Sequence, residues 1–109
     1  MDRILVLIAN FPDRPSAQAF ARALLEARLA ACVNLLAPCT SMYRWKGRVE
    51  TAEEIPLLIK TRESLYGAVE RELRRLHPYE VPELLALPVA AGLPAYLQWI
   101  ETETGEAQA

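Results

Sequence analysis

The chain opens on a run of apolar residues, Ile4 to Ala9, that contains no polar position. Such an unbroken run is typical of a strand in the middle of a sheet that is buried on both faces. Polar residues and prolines then interrupt it, and Asp13 is a candidate helix cap. Apolar residues recur next at helical spacing, which predicts a first helix ending near Leu29. They are Ala17, Phe20, Ala21, Leu24 and Leu25.

Extended segments occupy the middle of the chain. Residues 31–36 are predicted to form a second strand, and residues 41–45 alternate as a further extended segment does. The dipeptide Lys46-Gly47 predicts a turn that brings the chain back. Residues 49–61 form the return strand, so the two extended arms make a β-hairpin.

A second helix, a last strand and a closing helix complete the pattern. Thr61 is a candidate cap for a helix whose apolar face carries Leu65, Val69, Leu73 and Leu76. Two prolines predict a loop over residues 77–82, before a strand over 83–87 and a helix over 95–100. The order βαββαβ predicts one α+β domain over residues 1–109. Its expected fold is a ferredoxin-like sandwich with an extended β-hairpin and a short C-terminal helix.

The hairpin is long for so small a chain. Arms of about 13 residues would reach roughly 43 Å at about 3.3 Å per residue, whereas a domain of this size has a radius of gyration of about 13 Å. We therefore expect the tip to project from the domain with Met42, Tyr43 and Trp45, and another subunit to cover these side chains. The alternative is that Pro38 and Pro56 bend the arms back onto the same domain.

Composition excludes several classes of protein. Twelve Lys and Arg against fourteen Asp and Glu give a net charge of −2, so no overall positive field attracts nucleic acid. The longest apolar run is far shorter than the roughly 20 residues of a membrane span. With no targeting segment evident, we expect a cytoplasmic protein. Cys32 and Cys39 are about 23 Å apart on an extended chain, too far for a disulfide, and Cys32 is expected to be buried among apolar neighbours.

His77 is the only histidine, and it lies in the proline-bounded loop. Together with Glu80 and Glu83 it is a candidate for a weak Cu²⁺ or Zn²⁺ site, because imidazole and carboxylate suit these ions. Packing of the ring within the loop is the alternative. No nucleophile with an adjacent base and no phosphate-binding motif is apparent, so neither an enzymatic activity nor an obligatory cofactor is expected.

Lys60 and Glu83 each lie at the end of an apolar strand, where charged groups usually pair. This pair is predicted to share a cleft at each subunit boundary with an aromatic wall, suited to a small polar ligand, and the adjacent chain is expected to supply Trp45. The predicted lining is Tyr43, Trp45, Lys60, His77, Tyr79 and Glu83. The alternative is an ion pair that only locks the subunits together.

Five stretches, spread in order over nearly the whole chain, carry a family resemblance. They are LAACVN (29–34), SMYRWKG (41–47), LIKT (58–61), HPYEVPE (77–83) and YLQWI (96–100). On these residues the chain resembles the CutA family of divalent-cation-tolerance proteins. The resemblance implies a ferredoxin-like homotrimer, similar in architecture to the nitrogen-regulatory PII proteins. It also implies a role in the response to copper and other divalent metal ions.

Two positions depart from the family pattern. Some members carry a cysteine at the end of the first strand and a second histidine before His-Pro-Tyr, where this chain has Ala9 and Leu76. The resemblance therefore implies only weak binding of metal here. The Trp, Lys and Glu that are pocket candidates in the family have counterparts in this chain, namely Trp45, Lys60 and Glu83. The alternative function is a PII-like trimeric regulatory or scaffold module that binds a small polar ligand at the subunit boundary.

Overall fold

The sheet is built around two long central strands. The computed structural model describes residues 2–106, and in it β1 (Ile4–Phe11) pairs antiparallel with β4 (Arg48–Arg62) along its whole length. The other edge of β1 pairs with β5 (Leu84–Pro88), and the other edge of β4 pairs with β2 (Cys32–Leu35). The resulting order, β2-β4-β1-β5, confirms the predicted ferredoxin-like arrangement.

Two helices cover one face of this sheet. α1 (Arg14–Glu26) and α2 (Tyr66–Leu76) contact each other and enclose a core with the alternate strand positions that point toward them. On the opposite face of β1, Val6 and Ile8 are only half-buried in a single chain. The expectation of a strand buried on both faces is therefore met on one face only. The largest core side chains are Leu7, Phe11, Phe20, Leu24, Leu57, Ile59, Val69 and Leu73.

The two helices start differently. The carboxylate of Asp13 accepts a hydrogen bond of 2.8 Å from the backbone N–H of Ser16, which confirms the predicted cap of α1. The predicted cap of α2 is wrong. Thr61 is fully buried inside β4, where its hydroxyl donates to the carbonyl of Leu29 at 2.6 Å. A 3-10 turn, Glu63–Leu65, leads into α2 instead, and no side chain caps that helix.

The first helix ends at Glu26, earlier than predicted. Arg28 adopts a left-handed conformation with φ 59°, and its N–H bonds to the carbonyl of Leu25. The N–H of Leu29 bonds to the carbonyl of Leu24, which completes a Schellman motif. Leu25 lies outside the buried stripe that the periodicity predicted, since 42% of it is exposed.

Arginine side chains fasten the end of the last helix, α3 (Pro94–Glu103), to the rest of the fold. The guanidinium of Arg28 donates to the carbonyls of Thr102 and Gly105 at 2.7 and 2.8 Å. That of Arg62 donates to the hydroxyl and carbonyl of Thr104 at 2.8 and 2.9 Å. Gly105 has φ 81°, and a Cβ at this position would clash with the guanidinium of Arg62. Within residues 2–106, no helix combines the length and apolar character needed to cross a bilayer.

The hairpin projects from the sheet, as its length predicts. β3 (Cys39–Trp45) pairs with the N-terminal half of β4, and the two residues between them, Lys46 and Gly47, have φ of 50° and 81°. Positive φ at both positions is the signature of a type I′ turn. The described chain measures 49 × 26 × 23 Å, so one dimension is about twice the others.

The two glycines at positions 67 and 105 provide a matched test of this fold. Gly105→Ala should lower the free energy of unfolding by about 1 to 3 kcal/mol, because a side chain is strained at positive φ. Gly67→Ala should raise it by about 0.5 to 1 kcal/mol, because Gly67 is helical and its Cβ would meet only an ordinary contact of 3.6 Å with Arg71. Denaturant unfolding measures both, and a Gly105→Ala variant as stable as the parent would contradict the anchored end of α3.

Candidate functional site

A cleft of about 700 Å³ opens between the β3–β4 hairpin and the loop over residues 77–83. This volume lies in the range of small-molecule sites in proteins. No lysine or arginine lines it. Its walls carry three aromatic residues, Tyr43, Trp45 and Tyr79, and three carboxylates, Glu54, Glu80 and Glu83.

His77 fixes the loop against the end of β1. Its ring is 8% exposed and lies 4.3 Å from the ring of Phe11 and 4.7 Å from that of Tyr79, centre to centre. The backbone N–H of Tyr79 donates to Nδ1 at 3.1 Å. Nε2 must therefore carry the proton of the neutral ring, and it donates to the carbonyl of Asn10 at 2.6 Å. The ring of His77 is thus packed within the loop, which is the alternative to metal binding that the sequence left open. His77 does not line the cleft.

Asn10 links this loop to the acidic wall. Its side-chain amide donates to the carboxylate of Glu83 at 2.9 Å, while its backbone carbonyl accepts from Nε2 of His77. Asn10 is not among the residues predicted from the sequence. The available signal was its position, because it is the first polar residue after an unbroken apolar strand.

Glu54 is the most buried carboxylate of the cleft, with 7% exposed. The pKa of the Tyr79 hydroxyl is raised by burial first, and then by the negative charge of Glu54 and a hydrogen bond to that carboxylate. Glu54 is also absent from the predicted lining, because strict strand alternation does not predict burial of both Glu54 and Ile55. Tyr79, 25 positions further along the chain, reaches this carboxylate from the 77–83 loop.

The predicted pairing of Lys60 with Glu83 is wrong. Lys60 lies opposite Val6 in the β1–β4 ladder, whereas Glu83 bonds to Asn10. Val6 and Asn10 are four residue steps apart on β1, about 13 Å at roughly 3.3 Å per residue. This separation exceeds the distance of about 10 Å over which physiological salt leaves exposed charges coupled. Lys60 is therefore outside the cleft.

Lys60 instead lies beside Cys32. Its ammonium is 3.9 Å from the sulfur of Cys32 and donates to the side-chain oxygen of Asn34. Cys32 is only half-buried, so the expectation that it lies among apolar core residues is wrong. Both Cys32 and Cys39 are free thiols, as their spacing predicts.

Within the single described chain, Trp45 lines the cleft together with Tyr79 and Glu83; the expectation that the adjacent chain supplies Trp45 stays a prediction. The loop over residues 77–83 and the hairpin both contribute residues to the lining of the cleft. Of the predicted lining, Tyr43, Trp45, Tyr79 and Glu83 come together within one chain.

The candidate metal ligands His77, Glu80 and Glu83 are not gathered into one ligand set. No group of three His, Cys, Asp or Glu side chains in residues 2–106 is placed to hold a metal ion. Both nitrogens of His77 are occupied by hydrogen bonds, so the ring offers no free lone pair. Glu80 and Glu83 remain as carboxylates on the wall of the cleft.

Comparison with known proteins matches residues 5–103 to the family described as CutA1 divalent ion tolerance protein. "Protein CutA" of Mus musculus is 48% identical over 93 residues, which are 85% of this chain, and "Divalent-cation tolerance protein CutA" of Thermus thermophilus is 43% identical over 100 residues, or 92%. The chain spans only 52% of the mouse protein but 97% of the Thermus protein.

A solved structure of the divalent cation tolerance protein from Thermus thermophilus has the same fold. It superposes with a TM-score of 0.92 at 42% sequence identity. The match covers 94% of this chain and 99% of that one. The shared fold therefore covers nearly the whole chain.

Titration of the tyrosines tests the contact between Glu54 and Tyr79. Because the pKa of Tyr79 is raised above the usual value of about 10, its contribution to stability is present below that pH and is lost as the pH rises through the folded-state value. Glu54→Gln removes the negative charge and should lower this pKa. The near-ultraviolet absorbance of tyrosinate measures it, with and without Tyr79→Phe to isolate the signal. Glu26→Gln, on exposed α1, is the control, and equal titration in both variants would contradict the contact.

Proposed function

This chain belongs to the CutA1 divalent ion tolerance family, and from that premise we propose that it acts in the response to copper and other divalent metal ions as a homotrimer. The observation that carries the proposal is the cleft with three glutamates and no basic side chain. Carboxylate oxygens attract divalent cations. Without thiolate or free imidazole ligands gathered beside them, they form a weak site for Cu²⁺ or Zn²⁺.

The homotrimer is supported by apolar side chains that a single chain leaves uncovered. On the hairpin, Met42 and Val49 are 72% and 65% exposed, and on β5, Leu85 and Leu87 are 57% and 50% exposed. In the described chain the outer edge of β3 has no strand partner, and open edges favour strand addition. Three equivalent head-to-tail contacts close such a surface into a ring.

The cleft also supports the second candidate function, a PII-like regulatory or scaffold module that binds a small polar ligand. Its volume and its aromatic walls suit an organic molecule better than a bare ion. In this second function, other proteins recognise whether a ligand occupies the cleft of the trimer. The divalent cations then act through the same acidic side chains.

We infer further that the chain is not an enzyme and needs no obligatory cofactor. Its relatives are named as tolerance proteins, and both nitrogens of its one histidine are engaged in hydrogen bonds, so the imidazole is not free to act as a general base. We place it in the cytoplasm, where two free thiols are stable. The net charge of −2 supports a protein with no nucleic-acid or membrane partner.

Val49→Asp tests the homotrimer without touching the cleft, because Val49 is exposed on the hairpin and does not line it. Light scattering should give the parent protein about three times the 12.2 kDa mass of the chain. Val49→Asp should give smaller species or aggregates because it places a charge in an apolar contact, while Val49→Thr should keep the parent mass. A stable monomer of the parent protein at micromolar concentration would refute the homotrimer.

Calorimetric titration with Cu²⁺ and Zn²⁺ tests the weak metal site. We expect dissociation constants of about 1 μM or weaker, because the gathered ligands are carboxylates only. Replacing Glu80 and Glu83 by glutamine should weaken binding further. Glu103→Gln, which removes an exposed carboxylate of α3, is the control. A nanomolar site in the parent protein would show that ligands from another subunit complete a stronger centre.

A further inference from the structure

Glu54 is a buried carboxylate side chain that forms no salt bridge within residues 2–106. Only 7% of the residue is exposed, and it borders the cleft. Tyr79 beside it offers only a neutral hydroxyl. A desolvated carboxylate is costly without a cation beside it. The cleft therefore favours an occupant that carries positive charge.

The walls around that charge suit an organic cation. In a single chain Tyr43, Trp45 and Tyr79 are 42%, 37% and 37% exposed, and all three line the cleft. Aromatic faces attract ammonium groups, most strongly those of tryptophan. The chain itself illustrates this attraction, since the ammonium of Lys46 lies 5.5 Å from the centre of the Trp45 ring.

A bare metal ion fits these features less well. An ion needs several oxygen or nitrogen ligands converging within about 2 to 2.6 Å of one point, and no such group of three side chains exists within residues 2–106. The cleft of about 700 Å³ is also far larger than a single ion requires. An alkylated ammonium group, in contrast, gains from dispersed aromatic surface together with one or more carboxylates.

We propose that this cleft is a receptor for a small organic cation of the alkylammonium class, with Glu54 as the counter-charge and Trp45 and Tyr79 as the aromatic contacts. The proposal rests on the second candidate function, a small-ligand cleft, and names the chemistry of its ligand. Glu80 and Glu83 add to the negative potential at the wall of the cleft.

Choline and its uncharged isostere, in which a carbon replaces the nitrogen, provide a direct test. Both are titrated calorimetrically into the intact protein as purified, with sodium chloride matching the ionic strength. Choline should bind at least about tenfold more tightly than the isostere, because only choline interacts with the carboxylate and the ring quadrupoles. Equal affinities, or no binding of choline up to about 100 mM, would overturn the proposal.

Variants locate the binding within the cleft. Glu54→Gln should weaken choline at least about tenfold and leave the isostere unchanged, whereas Trp45→Leu should weaken both. Glu26→Gln, a matched loss of one charge on α1, should change the affinity less than about twofold. If Glu54→Gln fails to fold, as circular dichroism will show, Trp45→Leu and Glu83→Gln decide instead. Choline binding that none of the cleft variants weakens would overturn the proposal.

A parallel titration with Zn²⁺ separates this inference from the proposed metal binding. Choline binding without Zn²⁺ binding supports the organic-cation site and refutes the weak metal site. Binding of Zn²⁺ without choline overturns the organic-cation site and leaves the metal proposal standing. Binding of neither refutes both.

Discussion

The structure depends on one long strand, β4, that changes its partner part of the way along. Its C-terminal half pairs with β1 and β2 inside the sheet, and most of its N-terminal half pairs with β3 alone. The change falls at Pro56, which has no N–H to donate to a ladder. Opposite it, residues 36–38 face only two residues of β4, so the segment between β2 and β3 holds one residue more than the stretch of β4 that it passes. The hairpin wall of the cleft is thereby positioned by a strand that is anchored in the core.

The opposite wall is positioned by the single histidine. His77 bonds to β1 through the carbonyl of Asn10 and to its own loop through the N–H of Tyr79. These two bonds help to set where Tyr79 lies, and Glu54 on the hairpin is near enough to Tyr79 to raise the pKa of its hydroxyl. A chain of contacts therefore runs from the core strand through the loop to the buried carboxylate. The imidazole has a structural role in this series of contacts, because both of its nitrogens are hydrogen-bonded. The polar groups and rings that line the cleft are mainly carboxylates and aromatic side chains.

The distribution of charge gives this cleft its character. The whole chain has a net charge of only −2 and contains just two lysines. One of these, Lys46, lies over the ring of Trp45, and the other, Lys60, lies beside Cys32. The lining itself carries three glutamates and no basic residue. The acidic character of the cleft is thus a property of where the charges are placed, since the overall composition is nearly balanced.

The sequence by itself determined the order of elements, the sheet topology, the projecting hairpin and most of the aromatic wall. These follow from periodicity, turn residues and strand length, which are local properties that each segment carries with it. Only the tertiary structure decided that Lys60 lies far from Glu83, because register sets the distance between two strands and the pattern of a single strand does not encode register. It also decided that Glu54 is buried and that Trp45 and Tyr79 line one cleft within one chain. These side chains come from segments remote in sequence, and the pattern of a single segment does not encode which remote segment it faces.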